Sequence, residues 1–291
     1  MLEYALLGGL LYGLYYGLVG LGLNLVFGVM RIVNLAHGDF LMLGAFGTIW
    51  LYGLLHLSPL GTIFIALAVF VALGVPLYYL LVPRLLRAKD PEMLSLLLFF
   101  GLSQVIEAIA TIVFGPSEQS IPGRALGAGP IHILGQGFPA AWVVSAATSV
   151  VAVLAVYVYL YRTRLGYLTR AVMVHREEAL ASGIDVNRVS AIAFGVGLAL
   201  AAIAGVFAPF MLGGVTPTMG VELIVQAFVV IVIGSLGNPL GTVLGGIVYG
   251  VSLMFMQTYF SSWADLLPYV LLIVILLARP SGLLGRQVRS A

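Results

Sequence analysis

The sequence contains no cysteine, which excludes disulfide bonds, thiolate metal sites and cysteine nucleophiles. It also contains little charge: 8% of its 291 residues are charged and 62% are hydrophobic, whereas about 25% of a typical soluble domain is charged. A soluble fold of this length has too little interior to bury so much apolar surface. The composition therefore predicts an all-α protein that crosses a membrane several times, with lipid as its main solvent.

Several kinds of chemical site are also missing. The chain has no G-x-x-x-x-G-K-[ST] phosphate loop, and its one lysine is Lys89 in RAKDP, so we expect no ATP site in this chain. Its four histidines are scattered, and His37 has only Asp39 beside it, which argues against a metal site or a membrane enzyme. The net charge is +2 and the basic residues stand beside apolar runs, so nucleic acid is not an expected partner.

The apolar runs predict the number of membrane spans. The first run, MLEYALLGGLLYG, has no basic residue before it and is therefore interpreted as a span and not as a cleavable signal peptide. The segment 115–139 is rich in glycine and proline and predicts an external loop with short extended pieces. Because 222–236 is short, it either crosses the membrane, giving nine crossings, or is re-entrant, giving eight. The predicted spans lie near 4–29, 40–55, 62–83, 93–114, 140–161, 188–213, 222–236, 241–259 and 265–279.

Basic residues indicate the orientation. They concentrate in three segments, 84–92, 162–188 and 279–291. The positive-inside rule places all three in the cytoplasm. Arg279, Arg286 and Arg289 then put the C-terminus inside, and the N-terminus lies outside if every span crosses. We expect one transmembrane domain over residues 1–291.

The longest polar stretch is 162–188. A helix over 170–182 is predicted because this part has no glycine or proline, with Gly183 as its C-cap glycine. One interpretation is a solvated cytoplasmic loop that only obeys the positive-inside rule. The other is a helix on which a soluble partner docks.

A polar break, NLAHGDF at 34–40, interrupts the apolar pattern of the first half. If it lies at membrane depth, its backbone must be buried in protein or line a watery cavity, and Asn34, His37 and Asp39 would border a path. The alternative is a cytoplasmic turn with Arg31 at the interface. Asn24, inside the first span, more often hydrogen-bonds a neighbouring helix than a substrate in such a position.

Other polar residues are candidates of lower specificity. Glu107 lies inside a predicted span and is a candidate for transport, or for a position near the outer interface or a contact with a partner. Glu222 and Asp265 stand at predicted span ends, where solvated caps are expected. The tyrosines of the first span are candidates for an interface belt or a partner contact: Tyr12, Tyr15 and Tyr16.

Three segments carry a resemblance to a known family. The run GLNLVFGVMRIVNLAHGDFLMLGAF, 22–46, resembles the signature region of permeases of branched-chain amino-acid ABC importers, and GSLGNPLGTVLGG, 234–246, resembles their C-terminal glycine-rich block. EEALASGID, 177–185, is similar to the coupling loop of ABC importer permeases. One departure is Asn238-Pro239, where the family is expected to have smaller or non-proline residues.

The resemblance implies a permease in the plasma (inner) membrane. Its expected partners are a second, related permease, two ATP-binding cassette subunits that bind ATP and magnesium, and a binding protein that delivers the solute. It implies that this chain holds no cofactor and catalyses no reaction. Coupling to the ATPase would involve Arg176, Glu177, Glu178, Ala179, Leu180, Gly183 and Ile184. The translocation path would involve Asn24, Asn34, His37, Gly38 and Asp39.

The expected mechanism is alternating access, driven by movement of a cytoplasmic coupling helix, with discontinuous segments near the path. Branched-chain amino acids are the first substrate candidates, followed by other amino acids, amides or urea-like solutes. The alternative function is a secondary transporter driven by an ion gradient. It would need coupling carboxylates at mid-membrane, for which the sequence offers only Glu107 and Asp39.

Overall fold

The computed structural model describes residues 1–285; the predicted cytoplasmic arginines Arg286 and Arg289 lie outside the described residues. The elements are helices apart from two 3-10 turns, Gly123–Leu126 and Ser261–Leu266, and one antiparallel hairpin of β1 (Pro130–Ile133) and β2 (Gln136–Pro139). The helices are α1 Leu2–Met30, α2 His37–Leu55, α3 Pro59–Leu85, α4 Pro91–Phe114, α5 Ala140–Arg162, α6 Arg164–Val174, α7 Arg176–Ala181, α8 Val186–Met211, α9 Gly220–Gly234, α10 Pro239–Tyr259 and α11 Leu267–Ala278.

The predicted class, an all-α membrane protein with several spans, is confirmed. Within the described residues, eight helical segments are long and apolar enough to cross a membrane. The helix α9 has 15 residues, or about 22 Å, which is shorter than the roughly 30 Å of hydrocarbon in a bilayer. The hairpin confirms the extended pieces that were expected in the loop 115–139.

Small residues bring the central helices together. Gly9 of α1 faces Val251 of α10, and Gly13 faces Ile247 one turn further on, so the two helices run antiparallel. A β-carbon at either glycine would stand 2.6 Å from the facing α-carbon. Close approach of backbones is how helices associate in lipid, where hydrophobic burial gives no net drive. The helix α8, almost wholly buried, packs against α1, α2 and α3 and forms the centre of the bundle.

The helix α2 begins deep within the bundle. His37 Nε2 lies 3.4 Å from the carbonyl oxygen of Val19, which is eleven residues before the end of α1 at Met30. Residues 31–36 therefore return along α1 without helical structure over about 16 Å. Ile32 and Asn34 are buried, as non-helical backbone at membrane depth requires. The broken segment is therefore buried within the bundle, which favours a break at membrane depth over a simple cytoplasmic turn.

The helix α9 also begins inside the bundle. Gly220 at its start lies against Gly38 and Asp39 at the start of α2. At its other end, the turn after Gly234 hydrogen-bonds Asn24 near the end of α1. The chain before α9 pairs with the segment after α4, through the bridge between Gln119 and Val215. The segment 212–219 and α9 therefore connect opposite faces of the bundle, which favours nine passages and not a re-entrant α9.

The two ends of the described chain lie on opposite faces. Tyr4 stacks on Phe138 of the hairpin, with ring centroids 4.9 Å apart. At the opposite face, the backbone N–H of Leu283 donates to the carbonyl oxygen of Ile233 at 2.8 Å, beside the turn between α9 and α10. The coupling segment lies on this second face too, because Met173 packs against Gly28, which lies beside Gly237.

The predicted single helix over 170–182 is wrong. The chain is extended at His175, with φ −143° and ψ 97°, and this residue separates α6 from α7. The absence of glycine and proline permits a helix but does not force it to continue. Glu177 and Glu178 occupy the first turn of α7, where negative side chains stabilise a new helix N-terminus.

Candidate functional site

A cavity of about 780 Å³ opens between α1, α9, α10 and the start of α11. Its residues come from the middle of α1, the first turns of α9, the outer half of α10 and the segment 212–219 that precedes α9. Its lining includes the side chains of Tyr12, Tyr16, Glu118, Met211, Glu222, Leu223, Gln226, Tyr249, Leu253 and Asp265. None of the five predicted path residues lines this cavity.

Glu222 places a carboxylate of this cavity near the middle of the membrane. Gly220, two residues before Glu222, lies against Asp39 at the start of α2, where His37 contacts the carbonyl oxygen of Val19 in the interior of α1. Tyr16 lines the same cavity and is the middle residue of the 29-residue helix α1, about 21 Å from either end of that helix. Glu222 is exposed at the cavity and not packed in the core. A carboxylate exposed at this depth is costly in lipid, so it faces water or protein.

The cavity is acidic. Glu118, Glu222 and Asp265 line it, and no lysine, arginine or histidine among its lining residues offsets them. Within residues 1–285, none of these three carboxylates takes part in a salt bridge. Two buried atoms of the lining, Tyr249 Oη and Gln226 Oε1, have no hydrogen-bond partner in the described part of the chain. The surface thus offers negative charge together with unused hydrogen-bonding groups.

Four of the predicted path residues lie together beside the cavity but not in it. Asn34, His37 and Asp39 are 0–1% exposed. Among residues 1–285, no hydrogen-bond partner is found for the two side-chain polar atoms of Asn34, for Nδ1 of His37 or for the carboxylate oxygens of Asp39. Gly38 lies so close to the carbonyl of Gly220 that no β-carbon fits there. The cluster occupies the junction where α2 and α9 begin, and its role in the path stays a prediction.

Asn24, the fifth predicted path residue, is hydrogen-bonded to the turn that follows α9. Its Nδ2 donates to the carbonyl oxygens of Ser235 at 3.3 Å and Asn238 at 3.0 Å, and to the hydroxyl of Thr242. Its Oδ1 accepts from the backbone N–H of Gly237. The amide therefore fastens the turn 235–238 to α1, with its hydrogen-bonding groups occupied within the protein.

The predicted coupling residues form an exposed platform at the opposite end. Leu180 is 65% exposed, and Glu177 and Glu178 are also exposed, whereas Ala179 is buried and Ile184 half-buried. The Arg176 side chain points inward and donates to Ser190 Oγ at 3.4 Å. The platform therefore presents α7 with Leu180 outward and Ala179 against the bundle.

Gly183 follows the C-terminus of α7 as a C-cap glycine, as predicted. Its φ is +81°, and its N–H donates to the carbonyl of Leu180 at 3.0 Å while the N–H of Ile184 donates to that of Ala179 at 3.1 Å. These two bonds define a Schellman cap, which requires a left-handed residue at this position.

Comparison with known proteins identifies the family. The sequence model of the permease component of branched-chain amino acid transport systems matches residues 5–276. The chain belongs to this permease family. It is 29% identical to the high-affinity branched-chain amino acid transport system permease protein BraD of Pseudomonas aeruginosa, over 97% of this chain and 95% of that protein. It is 26% identical to the corresponding protein LivH of Salmonella typhimurium, over 96% and 94%.

A solved structure supports the fold of the permease. A chain of PsaBC from Streptococcus pneumoniae, solved in complex with Fab, superposes with a TM-score of 0.52 at 12% identity, covering 96% of this chain and 93% of that chain. The family resemblance found from the sequence is therefore confirmed, and the permease is a transport subunit that works with other components of an ABC system. The family gives no support to the alternative of a gradient-driven carrier.

Sequence reasoning missed the cavity itself in this permease. The sequence predicts a solvated cap at Glu222 because it stands at a helix end, but α9 begins inside the bundle against the start of α2. Tyr12 and Tyr16 line the cavity near the middle of α1, which argues against an interface belt, and their contact with a partner stays a prediction. The available signal was the segment GGVTPTMG, 213–220, which contains glycines and a proline just before a helix too short to span.

Proposed function

We propose that this chain is the membrane-spanning subunit of an ATP-driven importer of amino acids, with branched-chain amino acids as its first substrates. Its relatives in Pseudomonas and Salmonella, which are branched-chain amino acid permeases, support this substrate class. The cavity supports a small solute with an apolar part, because Met211, Leu223 and Leu253 line it beside the polar groups. In this proposal the chain catalyses no reaction, and partner subunits bind ATP and magnesium.

The exposed carboxylate of Glu222 is the observation that carries the proposed path. A charged side chain at mid-membrane depth marks a route for polar solutes by default. The starts of α2 and α9 meet beside it, and broken helices at the midplane surround binding sites in many transporters. In this proposal the solute moves along the cavity past α9, and Asn34, His37, Gly38 and Asp39 support the junction that shapes it.

Coupling to ATP hydrolysis would run through α7. Its outward residues Glu177, Glu178 and Leu180 would fit a groove of an ATPase subunit, while Ala179 holds the helix to the bundle. We propose two ATPase subunits, a second permease and a solute-delivering binding protein as partners. The platform and residues 282–285 share one face of the bundle, and the positive-inside rule supports placing that face in the cytoplasm.

The experiment compares two substitutions of an exposed leucine by arginine. Leu180 is 65% exposed on the platform, and Leu134 is 83% exposed in the hairpin at the other face. The complete importer is reconstituted in vesicles with its ATPase and binding proteins. Leu180→Arg is expected to lower capture of the ATPase subunits and ATP-dependent uptake of L-leucine by about tenfold or more, as for a central interface residue. Leu134→Arg is expected to leave capture of the ATPase unchanged.

Two results would contradict the proposal. Leucine uptake that proceeds in vesicles without ATP or an ATPase subunit would show that the chain is not driven by ATP. Equal ATPase capture by Leu180→Arg and wild type would show that α7 is not the docking element. Uptake of another solute in place of leucine, still dependent on ATP, would correct the substrate alone.

A further inference from the structure

We propose that the cavity binds the positively charged nitrogen of its solute through Glu222 and disfavours solutes with net negative charge. This inference rests on the proposed function, because it concerns the same path, and it adds the chemical basis of selection. It assigns Glu222 as the specificity-determining residue, with Tyr16 and Tyr249 as its aromatic neighbours and Gln226 as a hydrogen-bonding group.

The charged side chains that line the cavity are all negative. The carboxylates of Glu118, Glu222 and Asp265 come from three separate segments of the chain and converge on one cavity. No basic residue among the lining opposes them. A cleft lined by one sign of charge between low-dielectric walls raises the local concentration of the opposite charge.

The start of α9 also borders the cavity, and a helix N-terminus alone would favour an anion. Here Glu222 occupies the first turn of α9, and the carboxylate of Asp39 lies against Gly220. Two negative side chains of the protein therefore already stand at this N-terminus. A solute carboxylate would meet their repulsion, whereas an ammonium group would be attracted.

Aromatic and hydrogen-bonding groups line the same cavity as Glu222. The rings of Tyr16 and Tyr249 meet edge to face with centroids 4.7 Å apart, and both line the cavity. Aromatic rings attract cations through their electron-rich faces. Gln226 Oε1 has no partner and accepts hydrogen bonds only, which suits an N–H donor. The hydroxyl of Tyr249, whose residue is 0% exposed, is also unpartnered.

Because the chain has no cysteine, the sign of the potential can be measured directly. Single cysteines are introduced as Gln226→Cys in the cavity and Leu134→Cys in the exposed hairpin, within the complete importer in vesicles. Each is modified with a trimethylammonium-ethyl and with a sulfonatoethyl methanethiosulfonate. The labelling of this chain is followed by mass, and Leu134→Cys supplies the intrinsic rate ratio of the two reagents.

The expected result is a preference for the cation. One unit charge about 7 Å away, at an effective dielectric constant of about 40, changes the local concentration of a monovalent ion about sevenfold. We expect Gln226→Cys to favour the cationic reagent by at least about tenfold over the reference, and Glu222→Gln to lower this preference by at least about fivefold. An equal or inverted ratio overturns the inference. So does failure of both Gln226→Cys and Thr216→Cys, a second lining position in the segment before α9, to react with either reagent.

A second arm of the experiment tests which charged group of the solute the cavity binds. The labelling of Gln226→Cys is repeated with 3-methylbutylamine, 4-methylpentanoate or L-leucine present. The amine and L-leucine are expected to slow labelling and the acid is not, and Glu222→Gln is expected to remove the protection. Equal protection by the acid overturns the inference. ATP-dependent leucine uptake, measured separately, shows whether the proposed function survives that outcome.

Discussion

The carboxylate of Asp39 lies against the backbone of Gly220, so that a β-carbon at position 220 has no room beside Asp39 Oδ1. Asp39 is in the first turn of α2, and Gly220 is the first residue of α9. Two helix N-termini thus meet around one buried carboxylate, which their partial positive charge stabilises. This arrangement requires glycine at position 220.

Gly220→Ala is therefore expected to force the starts of α2 and α9 apart. Overpacking of this kind costs about 1–3 kcal/mol, and the shift also displaces Glu222 two residues further on. Thermal unfolding of the purified complex should occur at lower temperature, and leucine uptake should fall. Gly47→Ala in α2 is the matched control because its β-carbon would meet nothing within 4 Å. Equal unfolding temperatures of the two variants would refute the close contact.

Asn24 is expected to act on stability and not on solute recognition. Asn24→Ala leaves the carbonyls of Ser235 and Asn238 and the N–H of Gly237 without this partner. Hydrogen bonds between membrane helices are worth about 0.6 kcal/mol on average, and unsatisfied buried groups about 1–3 kcal/mol. We expect a lower unfolding temperature with unchanged charge selectivity in the cysteine assay. A normal unfolding temperature with altered selectivity would instead place Asn24 in the path.

The sequence was a good guide to the helices because hydropathy is a local property. The predicted span 140–161 is α5, Ala140–Arg162, and the predicted span 241–259 is α10, Pro239–Tyr259. The break at 34–40 was also recognised, since polar residues in a long apolar run are visible without a fold.

The depth of a residue in the membrane and its contacts with distant residues could not be predicted from the sequence in the same way. Glu222 lies at mid-membrane because α9 starts against α2, a contact between residues about 180 positions apart. Asn24 bonds residues more than 200 positions away. These relationships arise from tertiary packing, so periodicity and composition carry no trace of them. The interruption at His175 likewise depends on how α6 and α7 lie on the bundle and not on a helix-breaking residue.

The Schellman cap at Gly183 gives a prediction for α7. A residue with a β-carbon in the left-handed conformation costs roughly 1–2 kcal/mol, and α7 has only 6 residues to resist that cost. Gly183→Ala should therefore increase hydrogen exchange over residues 176–184 and weaken ATPase capture. Gly183→Asn should be milder, because asparagine tolerates this conformation, and the exposed neighbour Ser182→Ala is the control. Equal exchange in all three variants would show that the cap does not hold α7.

Met173 connects the platform to the C-terminal end of α1. Its side chain packs against Gly28, which in turn lies beside Gly237, and the carbonyl of Met173 accepts a hydrogen bond from Arg31 Nη2 at 3.3 Å. Gly237 belongs to the turn that follows α9, and α9 carries Glu222 into the cavity. A displacement of α6 and α7 by the ATPase would thus reach α9 through this methionine. The substitution Met173→Ala tests whether this contact contributes to coupling.

Met173→Ala is expected to separate ATP hydrolysis from transport. The platform itself is unchanged, so ATPase capture and hydrolysis should persist, while leucine uptake per ATP falls about threefold or more, in the range of coupling energies for such contacts. Val174→Ala is the matched control, because Val174 is the next residue and is 67% exposed. Uptake per ATP is measured in vesicles with both quantities followed in parallel. If the two variants lose uptake equally, the signal does not pass through Met173, and the rigid movement of α8, which also contacts α7, becomes the better account.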